Sequence, residues 1–141
     1  NQSTLAYTYR KSAAEHIVTL QGEAYFTIKH DADKNFVVDA GGVLIKDIGT
    51  AFNVKAYAGS STIDVWVREG RVLFYNATDS VWLAAGEKGV YDKIKKEFSS
   101  AHTTANELAY KTRVFTFSNA SLHTIVRELN AVYAKQIILS D

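Results

Sequence analysis

The sequence contains no cysteine, no proline and no methionine. Without cysteine there can be no disulfide, no thiolate metal site and no thiol nucleophile. This absence does not fix the compartment, because a domain with an adequate core needs no disulfide, and a chain near this length buries roughly 68–70% of the surface it exposes when unfolded. Without proline, turns must rest on glycine, asparagine, aspartate and serine. Without methionine, and with Asn1-Gln2-Ser3 at its start, the chain reads as a processed or trimmed piece of a longer protein. Any signal peptide or membrane anchor would then lie upstream. No apolar run approaches the about 18 residues of a membrane span. A basic excess is missing too. Lys+Arg 16 against Asp+Glu 15 leaves a formal +1, too little to neutralise phosphates by bulk electrostatics.

Aromatic residues, by contrast, are plentiful at 12%, which favours β-structure, where flat rings pack on a pleated face. Turn residues recur at the spacing of an all-β fold: Asp31 to Asn35, Gly41-Gly42, Gly49-Thr50, Gly59 to Ser61, Glu69-Gly70, Asn76 to Ser80 and Gly86 to Gly89. Between them the chain alternates. Phe52, Val54 and Ala56 share one face, as do Ile63, Val65 and Val67. A two-residue Glu69-Gly70 loop predicts a hairpin in which Val67 faces Val72, Val65 faces Phe74 and Trp66 lies across from Leu73. Strands are also expected at Ala24 to Ile28, Phe36 to Asp39, Val43 to Ile48, Val81 to Leu83 and Val90 to Tyr91. About nine or ten short strands fit before residue 100. Ser3 to Glu15 reads as either a strand or a short helix.

The pattern changes near residue 100. Ser99 to Asn106 is small and polar, as in a connection. Val114 to Phe117 reads as a strand. Leu122, Ile125, Val126, Leu129, Val132 and Tyr133 then recur at helical spacing, with Asn119 or Ser121 able to cap the start and with His123, Arg127 and Glu128 off the apolar face. Gln136 to Leu139 reads as another strand. The expected fold is mostly β. A solenoid-like or sandwich-like antiparallel all-β domain spans residues 1–105, and a partial β-α-β unit spans 106–141. One helix over two strands is too little to stand alone, so the sequence reads as ending inside a second domain.

No constellation of catalytic residues emerges. His16, His30, His102 and His123 are not spaced as H-x-H, H-x-x-x-H or H-E-x-x-H. His30-Asp31-Ala32-Asp33 offers two carboxylates for a hard cation, but it lacks the other ligands and the central glycine of a calcium loop and reads as a capped turn. No serine sits in a G-x-S-x-G elbow, and neither Gly41-Gly42 nor Gly86 to Gly89 follows a phosphate-loop pattern. Glu23, Glu69 and Glu87 could pair as glycosidase carboxylates only at a separation that linear sequence does not supply. Trp66, Trp82, Tyr57, Tyr75 and Tyr91 could form a sugar platform or serve packing. Trp66 shares a polar face with Asp64 and Arg68, where it either fills a second buried layer or lies open as a binding anchor. No catalytic residue, cofactor or metal ligand is assigned.

One set of motifs is more specific. Gly22-Glu23-Ala24-Tyr25-Phe26 is followed by Phe36-Val37-Val38, by Gly49-Thr50-Ala51-Phe52-Asn53-Val54, by Glu69-Gly70-Arg71-Val72 and by Gly86-Glu87. In order and spacing, over about residues 15–95, these resemble the FecR family of periplasmic anti-sigma factors in its Bacteroidetes form. The tail, with Phe115, Phe117, Asn119-Ala120-Ser121-Leu122, Leu129 and Tyr133, is similar to the first half of the short N-terminal domain of secretins and TonB-dependent transporters. Asn35 stands where proline is frequent and Tyr110 where tryptophan is frequent. Asp79-Ser80-Val81 resembles an acceptor of periplasmic O-glycosylation in Bacteroides relatives. The sequons Asn76-Ala77-Thr78 and Asn119-Ala120-Ser121 carry little weight beside it.

The resemblance implies a periplasmic sensor region of a transmembrane anti-sigma factor, anchored in the inner membrane. Its partners would be the signalling domain of an outer-membrane TonB-dependent transporter and, through a cytoplasmic segment, an extracytoplasmic-function sigma factor. No nucleic acid and no catalysis are implied. Contact is expected through the unfinished edges of the tail, at Val114, Phe115, Phe117, Gln136, Ile137, Ile138 and Leu139, with Trp66 as a further candidate, and the tail could swap with a second copy. The alternative is a carbohydrate-binding β-domain of a glycan-uptake system. A metal-dependent jelly-roll enzyme is a third reading.

Overall fold

A computed structural model describes residues 3–33, 35–102 and 121–132 of the chain. The chain divides into two compact units, Asn1–His102 and Thr103–Asp141. The first unit is all β. Its strands are β1 (Thr4–Arg10), β2 (Glu15–Thr27), β3 (Asn35–Asp39), β4 (Leu44–Asp47), β5 (Ala51–Ala56), β6 (Thr62–Glu69), β7 (Arg71–Tyr75), β8 (Ser80–Ala84), β9 (Glu87–Asp92) and β10 (Glu97–His102). They run in the order β10-β9-β6-β5-β2-β3-β4-β7-β8, with β1 added on β2. The segment before Glu15 is therefore a strand followed by a 3-10 turn (Lys11–Ala13), which Ala14 ends in the left-handed conformation at φ 49°.

One strand belongs to both halves of this sheet. Up to Gln21, β2 pairs with β1; from Gly22 onward it pairs with β5. Gly22 sits at the change of partner with φ +111°, and a Cβ there would lie 2.5 Å from the Ser3 hydroxyl, so only glycine fits the bend. Straight, a strand of this length would hold its ends about 40 Å apart. The bend instead brings His16 and Ile28, near opposite ends of β2, to the same cavity. This explains how the short connection from Thr27 can return the chain to pair β3 parallel with Glu15–Thr19. All other ladders are antiparallel.

The sheet folds on itself into a nearly closed sandwich. Val38, Ile45, Val72, Phe74 and Leu83 from one half meet Phe52, Val54, Ile63, Val65 and Val67 from the other. Each fully buried Phe, Ile or Leu here contributes on the order of 1.5–3 kcal/mol. Closure is tight where Gly89 of β9 passes β8: a Cβ there would meet Leu83 Cδ1 at 2.6 Å and Phe74 Cδ1 at 3.0 Å.

Two sequence expectations are corrected. β6 and β7 do not form a hairpin: β6 pairs with β5 and β9, and β7 with β4 and β8. Gly70 alone separates them, too short for a two-residue loop, and its φ of +77° turns the chain from one half of the sandwich into the other. The alternation holds, since Val65, Val67, Val72 and Phe74 all face the core. The cross-strand partners differ: Trp66 lies beside Asn53 and Lys88, and Leu73 beside Lys46 and Trp82. Likewise Ser99–His102 is not a connection but part of β10. Its one large inward ring, Phe98, packs on Phe74 at 4.9 Å and Tyr91 at 4.7 Å, and the small residues that follow suit an edge strand.

In the second unit, described by itself, α1 (Leu122–Val132) carries the expected helix. Ser121 is its cap: the Oγ accepts the Thr124 N–H at 3.2 Å. Ile125, Val126 and Leu129 are half-buried, whereas His123, Arg127 and also Leu122 are exposed. The expected strands at Val114 to Phe117 and Gln136 to Leu139, and Asn119, lie outside the described residues.

Candidate functional site

At one end of the sandwich the two halves part. His16, Phe36 and Asp47 are register neighbours across β2, β3 and β4, on the core side of that half. Ile28 to Asp31 faces them, and a cavity of about 470 Å³ lies between. Asp47 is only 8% exposed. Its carboxylate accepts the Thr50 hydroxyl and, at 3.2 Å, the Gly49 N–H. Burial pushes its pKa up to about 6, against the opposing pull of the Gly49 amide and of His30. Gly49 has φ +66°, and a Cβ would sit 2.7 Å from the His30 Cβ. These contacts fix the turn between β4 and β5. Asp31 accepts the Asp33 N–H at 3.0 Å, so the candidate cation loop is a capped turn. Among the described residues no group of three or more histidines, aspartates and glutamates is placed to hold a metal ion.

The outer face of β2, β5, β6 and β9 carries a polar layer. Glu23 Oε1 accepts the Asn53 side-chain amide at 2.9 Å, and Tyr57 reaches Glu23 Oε2 at 3.5 Å. Asn53 is almost fully buried although it points away from the main core. Trp66 sits beside it, half-buried, with the Lys88 ammonium 4.5 Å from its ring centroid. Lys88 also pairs with Asp64 at 3.5 Å. The Trp66 ring thus packs within this outer layer and keeps part of its surface exposed. Trp82 is different: half of it is exposed, on the outer face of β8, with the Arg71 guanidinium 5.0 Å from the ring centroid. The two tryptophans thus lie on outer faces of different halves, and Tyr91 is in the core. They do not form one platform. Glu23 and Glu87 each accept a hydrogen bond, the former from the Asn53 side chain across strands and the latter from the Ala84 N–H at 2.7 Å within its own turn. Asn76 caps its own turn through Thr78 and Asp79, which leaves Asp79 and Ser80 exposed at the start of β8.

The contact residues expected in the tail, Val114, Phe115, Phe117, Gln136, Ile137, Ile138 and Leu139, lie outside the described residues. A surface that sequence reading does not single out is β1. All seven of its residues are exposed, including Leu5 at 55%, Tyr7 at 61% and Tyr9 at 46%. The signal for a strand is present in the alternation Leu5-Ala6-Tyr7-Thr8-Tyr9, but Lys11 to Glu15 blurs its end.

The family profile of FecR protein matches residues 1–73, more than half of the chain. No curated protein matches it. Two crystal structures of a candidate anti-sigma factor from Parabacteroides distasonis, at 1.65 and 2.50 Å resolution, each align with TM-score 0.70 at 23% identity. Each alignment covers 93% of this chain and 62% of that one, so the chain spans less than two thirds of those relatives' length. At that identity the likeness is one of fold. The matched stretch contains Gly22 and Glu23 at the bend of β2 and Gly49, Thr50 and Asn53 around the β4–β5 turn, the residues whose geometry explains the motifs. The chain is a member of the FecR family.

Proposed function

We propose that the chain is the periplasmic sensor region of a transmembrane anti-sigma factor. It relays the state of an outer-membrane TonB-dependent transporter to an extracytoplasmic-function sigma factor, and it does so by protein contact without catalysis. The observation that carries this reading is the family match over residues 1–73, extended by a shared fold over 93% of the chain with a candidate anti-sigma factor. The site geometry supports it. Motif residues such as Thr50, Phe52, Asn53, Val54 and Val72 are buried pins of the sandwich, whereas exposed aromatic and strand-edge surface is what a protein partner uses. Contact with the transporter's signalling domain is assigned to the tail, Val114 to Phe117 and Gln136 to Leu139, with the Trp66 flank secondary. The unit that starts at Thr103 is read as the first half of a domain similar to the short N-terminal domain of secretins.

The test is calorimetric titration of this chain with isolated signalling domains of transporters from the same genome. Saturable binding to one of them, weakened at least about tenfold by Phe115→Ala with Phe117→Ala, is expected, as for interface aromatics that act as anchors. The carbohydrate reading is favoured by one observation, the exposed Trp82 beside Arg71. Oligosaccharide heats that vanish in Trp82→Ala, with no binding to any signalling domain, would replace the proposal.

A further inference from the structure

We infer that two copies of this chain pair edge to edge along β1, in an antiparallel register centred on Tyr7. Among the described residues β2 is the only strand beside β1, so the other edge of β1 is open to them, and the β1–β2 register runs from Thr4 to Arg10 without a bulge. Edge strands are usually blunted by lysine, proline, a bulge or a covering loop. Thr4–Arg10 has no lysine and no proline, and its single charge, Arg10, sits at the end beside Glu15 at 3.8 Å. Nor is this edge loose. The Ser3 Oγ accepts the Glu23 N–H at 3.0 Å at one end, and the 3-10 turn holds the other. Tyr7 Oη and His16 Nδ1, 2.5 Å apart, tie its middle to β2.

The face pattern says what fits there. Leu5, Tyr7 and Tyr9 are register partners of Leu20, Val18 and His16, so they share the face that is buried at Val18 and Leu20. The core face of the sheet therefore runs out past its cover onto three exposed apolar side chains. A second β1 laid antiparallel about Tyr7 places Tyr7 opposite its own copy, Leu5 opposite Tyr9, Ala6 opposite Thr8 and Thr4 opposite Arg10. Leucine and tyrosine side chains then meet on one face, and on the other the small Ala6 and Thr8 meet, flanked at each end by Thr4 against Arg10. The two Arg10 residues end up about 20 Å apart, so no like charges oppose. Every pair in this register has the same parity. Whichever alternate residues of β1 turn their N–H and C=O outward, they therefore meet residues that do likewise, as an antiparallel ladder requires. Among occupants of this edge, a copy of the same chain matches on both faces at once.

The pairing is independent of the proposed relay role. Its test uses the full 141-residue chain, whose lack of native cysteine gives a clean background for cross-linking. Tyr7→Cys is expected to form a covalent dimer on mild oxidation, because opposed Cβ atoms in such a ladder lie about 4.5–5.5 Å apart, near disulfide range. Leu5→Cys is expected not to, because its copy would be displaced by four residues, about 13 Å. Sedimentation supplies a second arm that leaves Tyr7 in place. Ala6→Lys with Thr8→Lys sets like charges opposite each other and is expected to weaken dimerisation at least about tenfold, whereas Ala6→Glu with Thr8→Lys restores it. A wild-type chain that stays monomeric up to its solubility limit overturns the inference. So does a dimer in which both cysteine variants cross-link equally or the charge pairs make no difference.

Discussion

Replacing Asp47 by asparagine removes an ionisable group from the mouth of the sandwich while keeping its shape and one acceptor for the Thr50 hydroxyl. In the folded chain burial holds this carboxyl at about 6, above the ordinary value of 3.8 that applies when the chain unfolds. The sign follows from proton linkage. Between these two values the folded state binds more protons than the unfolded one, so Asp47 costs stability as pH rises through that window. Below about pH 4 the penalty vanishes, and above about pH 6 it levels off near 3 kcal/mol. Between about pH 4.5 and 7.5 it grows by about 2 kcal/mol. An asparagine side chain does not ionise, so the Asp47→Asn variant lacks this slope. It does lose the bond from the Gly49 N–H, a pH-independent cost of about 1 kcal/mol. Urea unfolding of both proteins at those two pH values should therefore give a stability difference that shifts by about 2 kcal/mol in favour of Asp47→Asn at the higher pH. An unchanged difference would refute the reasoning and show Asp47 to be hydrated. A shift of the opposite sign would show that His30 outweighs burial.

Other consequences are equally measurable. Gly70→Ala forces a Cβ to 2.5 Å from the Gly49 carbonyl oxygen at a positive φ, whereas Gly41→Ala shares the positive φ but meets open space. The first should cost clearly more than the roughly 1–2 kcal/mol of left-handed strain that the second carries alone, by chemical denaturation. Gly89→Ala pushes a methyl into Leu83 and Phe74 without any φ penalty, so Leu83→Val should recover part of the loss. A double-mutant cycle checks this, and strict additivity would contradict the packing described for β8 and β9. Trp66→Leu should leave the fold intact but lower stability by about 0.5–1 kcal/mol through loss of the ring face that Lys88 covers, measured by thermal unfolding.

Much of the architecture is legible because strand alternation is a local signal. Phe52 to Ala56, Ile63 to Val67 and Val72 to Phe74 declare their buried faces before any partner is known. The partners are not legible. Glu69-Gly70 looks the same whether it makes a hairpin or a corner between two halves of a sandwich, and only the closeness of Gly70 to Gly49 and Thr50 decides it. β2 is hidden for a related reason. Nothing local marks Gly22 as the bend inside one strand where that strand changes neighbours. The FecR motifs are visible as letters, while their meaning as buried contacts differs in reach. Thr50 to Asp47 is closed within one turn, but Glu23 to Asn53 depends on strands far apart in sequence. The open edge at β1 escapes sequence reading because exposure of a strand is a property of what lies beside it.

That this region acts by binding another polypeptide is the central claim. Calorimetric titration of the chain with the signalling domain of a TonB-dependent transporter from the same genome tests it most directly. A saturable one-to-one complex, lost when the tail aromatics Phe115 and Phe117 are replaced by alanine, is the result predicted. No heat with any such domain, together with oligosaccharide binding that depends on Trp82, would contradict it.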